Sequence, residues 1–178
     1  MRNVKNNIAK MYFFRFFRDF WLIMPMLIPF YTSFHLSNTE ILLIQSIFSV
    51  SQLVFEVPSG YFSDAIGRRM TLIIGAASLP TGLAMYSMGT GFAEFAVAEF
   101  VLGFGFAMCS GTESAFIYDT LLQTGKERSY HKIEGFAESL TRFGTAAASL
   151  LGGLLAYVFL KLPFYCNIGT GLDRKSVV

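Results

Sequence analysis

The sequence has a short charged stretch between two long apolar runs, and it reads Gly60-Tyr61-Phe62-Ser63-Asp64-Ala65-Ile66-Gly67-Arg68-Arg69. The flanking runs, about 40–61 and 70–90, carry few charges. Hydrophobic residues make up 53% of the chain and charged residues 15%, whereas a soluble domain usually has about 25% charged residues. Since a bilayer span needs about 20 mostly apolar residues, the stretch indicates a loop between two membrane helices. A soluble ligand-binding module is excluded.

Working outward, the sequence contains five such apolar runs, and local motifs set their ends. Lipid allows only helices or closed barrels to cross it, and the runs show no strict alternation, so helices are predicted. Ser37-Asn38-Thr39-Glu40 predicts a capping box that begins the second helix. Gly67 is expected to supply a left-handed turn, and Pro25 and Pro29 are expected to kink the first helix. The predicted spans are 11–34, 40–61, 70–90, 93–118 and 134–160.

The Lys and Arg residues predict the orientation. Five precede or enter the first span, two lie in the 62–69 loop and three in the 119–133 loop, whereas 35–39 and 89–92 contain none. Positively charged loops stay in the cytoplasm. We therefore expect a multi-pass protein of the cell membrane with a cytoplasmic amino terminus. No cleavable signal peptide is predicted, so the first run is interpreted as a retained helix.

The 60–69 stretch resembles the signature loop of the major facilitator superfamily: glycine, three residues, aspartate, a basic residue, any residue, glycine and two basic residues. It departs from that pattern at Ala65, where the family usually has Arg or Lys. The resemblance implies an all-α membrane protein, a polytopic bundle that supplies the first five helices of a twelve-helix fold. It also implies a secondary transporter of small molecules that works by alternating access, with its substrate bound between two halves.

In this family the loop latches the two halves together in one access state. The implied latch residues are Gly60, Asp64, Gly67, Arg68, Arg69 and Asp119. The residue chemistry agrees, because Asp64 can pair with Arg68, Asp119 is a further partner for Arg68, and Gly60 lets two helices approach closely. The alternative is that these charges only stop the helices and set the topology.

Two further stretches, 110–119 and 56–60, resemble bacterial members and favour an efflux-type branch, with proton-coupled export of drugs or metabolites. Two family patterns are incomplete. Glu99-Phe100-Val101-Leu102-Gly103 has a carboxylate where span four often has Arg, and 148–153 keeps only the final glycines of an antiporter motif.

Polar residues recur at helical spacing in spans two, four and five. A charged side chain in mid-bilayer costs about 2.5–3.5 kcal/mol even on insertion scales, so these faces are expected to line a shared wet interior. The candidate substrate or proton site consists of Asp19, Gln45, Gln52, Glu99, Glu113 and Arg142.

Within this set, Glu99 has no basic residue within helical reach, and removal from water favours the protonated form of a carboxylate. Asp19 is expected to be neutralised by Arg15, four residues earlier on the same face. Glu113 and Arg142 are expected to form an ion pair between adjacent spans. The alternative for Glu99 and Asp19 is a structural carboxylate hydrogen-bonded to a neighbouring helix.

The end of the sequence leads to an expectation about its domains. Residues 1–168 are predicted to form an incomplete amino-terminal transmembrane domain, whose missing carboxy-terminal half is its main partner besides the lipid bilayer and a small-molecule substrate. Residues 169–178 are predicted to be a non-native tail, since Asp173-Arg174-Lys175-Ser176-Val177-Val178 is encoded by one frame of a common sequencing-adapter oligonucleotide. A natural DNA continuation past residue 172 would refute this.

Competing functions have weaker support. An enzyme is not expected, because the only histidines, His35 and His131, are predicted at opposite membrane faces, and no Gly-x-Ser-x-Gly or His-Glu-x-x-His motif is present. No catalytic residue, metal, cofactor or nucleic-acid partner is predicted, apart from coupling to protons. The remaining alternatives are a half-size transporter that dimerises and a non-catalytic membrane scaffold.

Overall fold

The computed structural model describes residues 2–123 and 125–158, with side chains at 8–123 and 125–155. Every regular element in this part of the chain is helical. The α-helices are α1 (Arg2–Arg18), α2 (Leu27–Ser33), α3 (Asn38–Ala65), α4 (Arg68–Met88), α5 (Phe92–Leu122) and α6 (Tyr130–Val158). The predicted tail 169–178 and the end of the predicted fifth span lie outside the described residues.

Three helices in the described part, α3, α4 and α5, are long and apolar enough to cross a membrane, with 28, 21 and 31 residues. Their outer surface is apolar as well. On α3, for example, Leu53 is 69% exposed and Val57 is 83% exposed. An exposed apolar surface of this extent is unfavourable in water and favourable in lipid. The prediction of an all-α membrane bundle is confirmed.

The central helix is α5, which packs along α3 and α4 and also contacts α1 and α6. Glycines bring these backbones together. A Cβ at Gly75 of α4 would lie 2.6 Å from the Cys109 Sγ and 2.9 Å from the Gly105 carbonyl oxygen. A Cβ at Gly103 would lie 2.6 Å from the Phe48 carbonyl oxygen of α3. Small residues of this kind are the usual means by which membrane helices pack closely.

Two predicted boundary motifs are present, the capping box before the second span and the glycine turn between the second and third. Helices α3 and α4 cover Asn38–Ala65 and Arg68–Met88, against the predicted 40–61 and 70–90. The Ser37 backbone N–H donates to Glu40 Oε2 at 2.8 Å, and the Glu40 N–H donates to Ser37 Oγ at 3.3 Å, which completes the capping box. Gly67 has a φ of +91°, a backbone conformation that favours glycine, between α3 and α4. The capping box and the Gly67 turn therefore mark the two ends of α3.

The expected close approach at Gly60 is wrong for the described part of the chain. No heavy atom there lies within 4 Å of a Cβ built on Gly60. The close contact of α3 with α5 is made instead where Gly103 meets the Phe48 backbone, further from the 60–69 loop.

The first predicted span is not one continuous helix. Helix α1 ends at Arg18, a single 3-10 turn covers Met24–Met26, and α2 begins at Leu27. Pro25 lacks an N–H, its ring would clash with the carbonyl four residues earlier, and it disfavours helical geometry in the residue before it. Pro25 therefore excludes a regular α-helix through residues 21–24, so the first span is interrupted there, which is a sharper change than the predicted kink.

Helix α6 holds the broken segment 19–23 in place. Thr145 Oγ1 donates to the Asp19 carbonyl at 3.3 Å. Gly152 has no room for a Cβ, which would overlap the Leu22 carbonyl. The backbone of the break is therefore packed directly against α6.

The glycine contacts lead to a stability prediction. Gly75→Ala should lower the free energy of unfolding by about 1–3 kcal/mol, because the new methyl group overlaps α5. Gly60→Ala is the matched control and should leave it unchanged or raise it by about 1 kcal/mol through helix propensity. Thermal unfolding in detergent, followed by circular dichroism, measures both. Equal melting temperatures for the two variants would contradict the close packing.

Candidate functional site

Glu99 lies in the middle of the bundle, where four helices meet. Its Oε1 accepts hydrogen bonds from the Tyr86 hydroxyl of α4 at 2.6 Å, the Tyr31 hydroxyl of α2 at 3.2 Å and Gln45 Nε2 of α3 at 3.2 Å. The two tyrosine hydroxyls also bond to each other. Glu99 is only 5% exposed, and no Lys, Arg or His in the described part lies within salt-bridge distance of it. The carboxylate therefore has neutral donors only.

A small pocket of about 50 Å³ opens beside Glu99. Its wall is mainly aromatic and aliphatic, and it is lined by Trp21, Ile23, Met24, Leu27, Gln45, Phe48, Tyr86, Glu99, Leu102 and Phe106. One water needs about 10–15 Å³ by this measure, whereas ligand pockets usually have about 300–1,000 Å³. The pocket in this conformation therefore holds a few waters at most, and a larger ligand requires the helices to separate.

A second polar site is a buried cluster of charges around Glu113, whose side chain is 1% exposed. Arg15 Nε donates to Glu113 Oε2 at 2.9 Å, and Arg18 Nη1 donates to Glu113 Oε1 at 2.6 Å. Arg15 also pairs with Glu134 of α6 at 2.8 Å, and Arg18 pairs with Asp19 at 2.7 Å. We call these five residues the Glu113 cluster. It ties α1 to both α5 and α6.

The Glu113 cluster corrects two predicted ion pairs. The expected pair between Glu113 and Arg142 is wrong, because the Arg142 side chain is 80% exposed and pairs with Glu138 on its own helix. Asp19 is neutralised by Arg18 rather than by Arg15. The reason is that Arg15 is already bound to Glu113 and Glu134, although the Asp19 N–H still donates to the Arg15 carbonyl at 3.2 Å as in a helix.

Three of the predicted latch residues, Asp64, Arg68 and Asp119, meet where α3, α4 and α5 come together beside the 60–69 stretch, in which only Ile66 and Gly67 lie outside a helix. Arg68 Nε donates to Asp119 Oδ2 at 3.0 Å, and Arg68 Nη1 lies 3.2 Å from Asp64 Oδ1. The same Nη1 donates to Ser63 Oγ at 2.9 Å. Both predicted pairs of Arg68 are present. Arg69 is exposed in the first turn of α4.

The candidate substrate or proton residues thus fall into four places. Gln45 joins Glu99, and Asp19 joins Glu113. Gln52 is half-buried on α3, about two helical turns from Gln45. Arg142 lies apart on the exposed face of α6. In the described residues, no group of three His, Cys, Asp or Glu side chains is placed to hold a metal ion.

The sequence patterns did not identify Tyr31 and Tyr86 as donors to Glu99. They also did not place Arg15, Arg18 and Glu134 in the cluster around Glu113. Glutamates at 99 and 113 in an apolar run require buried hydrogen-bond donors, so the presence of such donors was predictable from the sequence. Nothing in the spacing identified which helices bring them.

Comparison with known proteins decides the family. The sequence model of the Major Facilitator Superfamily matches residues 11–172 of this chain. The chain belongs to the major facilitator superfamily. The predicted family is therefore confirmed, and the superfamily is one of membrane transporters.

The superfamily relatives that resemble this chain include bacterial resistance proteins. It is 26% identical over 144 residues to Multidrug resistance protein 2 of Bacillus subtilis (strain 168), which covers 81% of this chain and 35% of that protein. It is 21% identical over 164 residues to Quinolone resistance protein NorA of Staphylococcus aureus, and this match covers 91% of this chain and 41% of that protein. The chain therefore spans less than half the length of these relatives.

The burial of Glu113 leads to a prediction. Glu113→Ala should lower the free energy of unfolding by about 3–5 kcal/mol, because two buried guanidinium groups lose their shared carboxylate. Glu138→Ala removes an exposed ion pair of the same chemistry and should cost only about 0.2–1 kcal/mol. Thermal unfolding of both variants in detergent makes the comparison. A Glu113→Ala variant as stable as Glu138→Ala would refute the cluster.

Proposed function

We propose that this chain forms the amino-terminal part of a secondary transporter that exports small organic molecules from bacterial cells by alternating access. The observation that carries the proposal is Glu99, a buried carboxylate with neutral donors only, beside a pocket between helices. Membership in a transporter superfamily and likeness to resistance proteins support it. The remaining helices would come from the rest of a longer protein, since the curated relatives are more than twice as long as the matched segment.

The chemistry of Glu99 is suited to a site that exchanges cations. A buried carboxylate without a basic partner gains stability either by binding a proton or by pairing with a cationic ligand. The Tyr86, Tyr31 and Gln45 donors stabilise the ionised form after either cation leaves. One carboxylate can therefore couple proton entry to release of a cationic substrate.

The Arg68 contacts suit a latch at the membrane surface. Arg68 joins the ends of α3, α4 and α5 through Asp64, Ser63 and Asp119. Its side chain is 29% exposed and that of Asp119 is 45% exposed. Exposed ion pairs contribute little free energy, so Arg68 can exchange partners when the helices move. In alternating access it would part and re-form as the two halves rock.

The role of Glu99 is tested by Glu99→Gln in the full-length gene, expressed in bacteria without their own drug exporters. Glu94→Gln is the matched control, because Glu94 lies on the same helix and is exposed. A quinolone and the organic cation ethidium serve as transported probes, assayed in everted vesicles at several pH values. Glu99→Gln should weaken ethidium binding about tenfold or more, since a charged contact contributes about 1.5–3 kcal/mol, and should abolish the pH dependence of export.

The opposite outcome is equally clear. Export by Glu99→Gln that keeps the pH dependence and the probe affinity of Glu94→Gln would remove Glu99 from the mechanism. Absence of export by the unmodified full-length protein for both probes would count against export of these compound classes.

The latch makes a separate prediction. Asp119→Asn should lower the maximal transport rate by up to about fivefold, because Arg68 loses a partly exposed ion pair, and such pairs contribute about 0.2–1 kcal/mol. The apparent KM should change little, since Asp119 lies far from the pocket. Glu127→Gln, in the exposed loop before α6, is the control. A changed KM with an unchanged rate would argue against a latch.

A further inference from the structure

The Glu99 pocket and the Glu113 cluster are connected along one face of α5. Glu99, Phe106 and Glu113 are each seven residues apart, which is about two helical turns. Phe106 lines the pocket at one end. On its other side, the centroid of the Phe106 ring lies 5.6 Å from the guanidinium carbon of Arg18, a member of the Glu113 cluster. Phe106 therefore touches both sites.

Arg18 makes three kinds of contact at the end of α1. Its Nη1 binds Glu113 at 2.6 Å, while Nε and Nη2 bind Asp19 Oδ2 at 3.0 and 2.7 Å. Its backbone carbonyl accepts a hydrogen bond from the indole N–H of Trp21. One residue thus joins the cluster, the helix end and the first residues of the break.

Trp21 carries these contacts to the pocket. Its side chain is buried, its ring centroid lies 5.4 Å from that of Phe106, and both rings line the pocket beside Glu99. The position of Trp21 depends on where α1 ends, because its indole bonds to the last helical carbonyl. That end is fixed by Arg18 bound to Glu113.

We propose that Arg18 is a positioning residue: held by Glu113, it fixes the break in the first span and so sets Trp21 and Phe106 as the wall of the Glu99 pocket. The affinity of the pocket is then controlled from the Glu113 cluster, about 21 Å away along α5 at the helical rise. The affinity part of this inference rests on the proposed function of Glu99 as a ligand site.

The geometry requires arginine at position 18. A guanidinium can bind Glu113 and Asp19 at once through different nitrogens, and it lies flat over an aromatic ring. A lysine at this position keeps the charge but has one nitrogen for both carboxylates. Arg18→Lys therefore separates positioning from simple charge neutralisation.

The chain contains a single tryptophan, so its emission reports Trp21 alone. The experiment places the 178-residue chain in lipid nanodiscs and records the emission maximum and acrylamide quenching. In the unmodified chain, emission should be blue-shifted and poorly quenched, because Trp21 is 5% exposed. Arg18→Lys and Glu113→Gln should both shift emission to the red and increase quenching. The exposed pair supplies the controls, Arg142→Lys and Glu138→Gln, which should change neither.

A second measurement follows ligand affinity by equilibrium dialysis of tetraphenylphosphonium, a lipophilic cation. Arg18→Lys and Phe106→Leu should each lower its affinity by about fivefold to tenfold, the effect of losing one aromatic wall contact. Phe106→Leu leaves the Glu113 ion pairs intact, so it tests the wall even if Glu113→Gln fails to fold. Helix content by circular dichroism checks the fold of every variant.

The two proposals fail in different ways. Unchanged Trp21 emission in folded Arg18→Lys and Glu113→Gln would overturn the positioning role. A second outcome is changed Trp21 emission in those variants but unchanged tetraphenylphosphonium affinity in Glu99→Gln. It would retain the positioning role and overturn the ligand site at Glu99.

Discussion

The structure depends on one buried carboxylate that is shared by two arginines. Glu113 accepts from Arg15 and Arg18 inside an apolar bundle, where an unpaired charge of either sign would be very costly. The pairing therefore holds the end of α1 against α5, next to the break in the first span. Helix α6 then closes over the break through Thr145 and Gly152. Three helices are arranged around a single set of charges.

Helix α5 organises the remaining polar chemistry by separating it along its length. Glu99 meets neutral hydroxyl and amide donors, Glu113 meets arginines, and Asp119 meets Arg68 near the membrane surface. The same functional group, a carboxylate, is thus held in three different surroundings. Neutral donors leave the Glu99 carboxylate able to accept a proton or a cation, whereas arginines already occupy both oxygens of Glu113. This difference separates a site suited to exchange from one suited to structural support.

Short-range features were predictable from the sequence, and most long-range ones were not. The pair of Arg68 with Asp119 is an exception, because both residues lie next to loops predicted on the same side of the membrane. The capping box at Ser37, the turn at Gly67 and the pairing of Arg68 with Asp64 each follow from a few neighbouring residues. The partners of Glu113 and Glu99 lie between 13 and 98 residues away in sequence. Helical spacing gave Asp19 the wrong arginine, because Arg15 is bound instead by Glu113 and Glu134 on two other helices. The burial of both glutamates was correctly expected, because lipid does not tolerate their charge.

The glycine contacts between α4 and α5 have an evolutionary consequence. Gly75 and Gly105 meet backbone to backbone and leave no space for a larger residue, so this seam resists sequence drift. The pocket wall contributed by Trp21, Met24 and Leu27 is made of side chains on an irregular segment. Exchanges there alter the shape of the pocket without forcing two helices apart. Substitutions in the first span can therefore change the pocket while the packing of α4 on α5 stays intact.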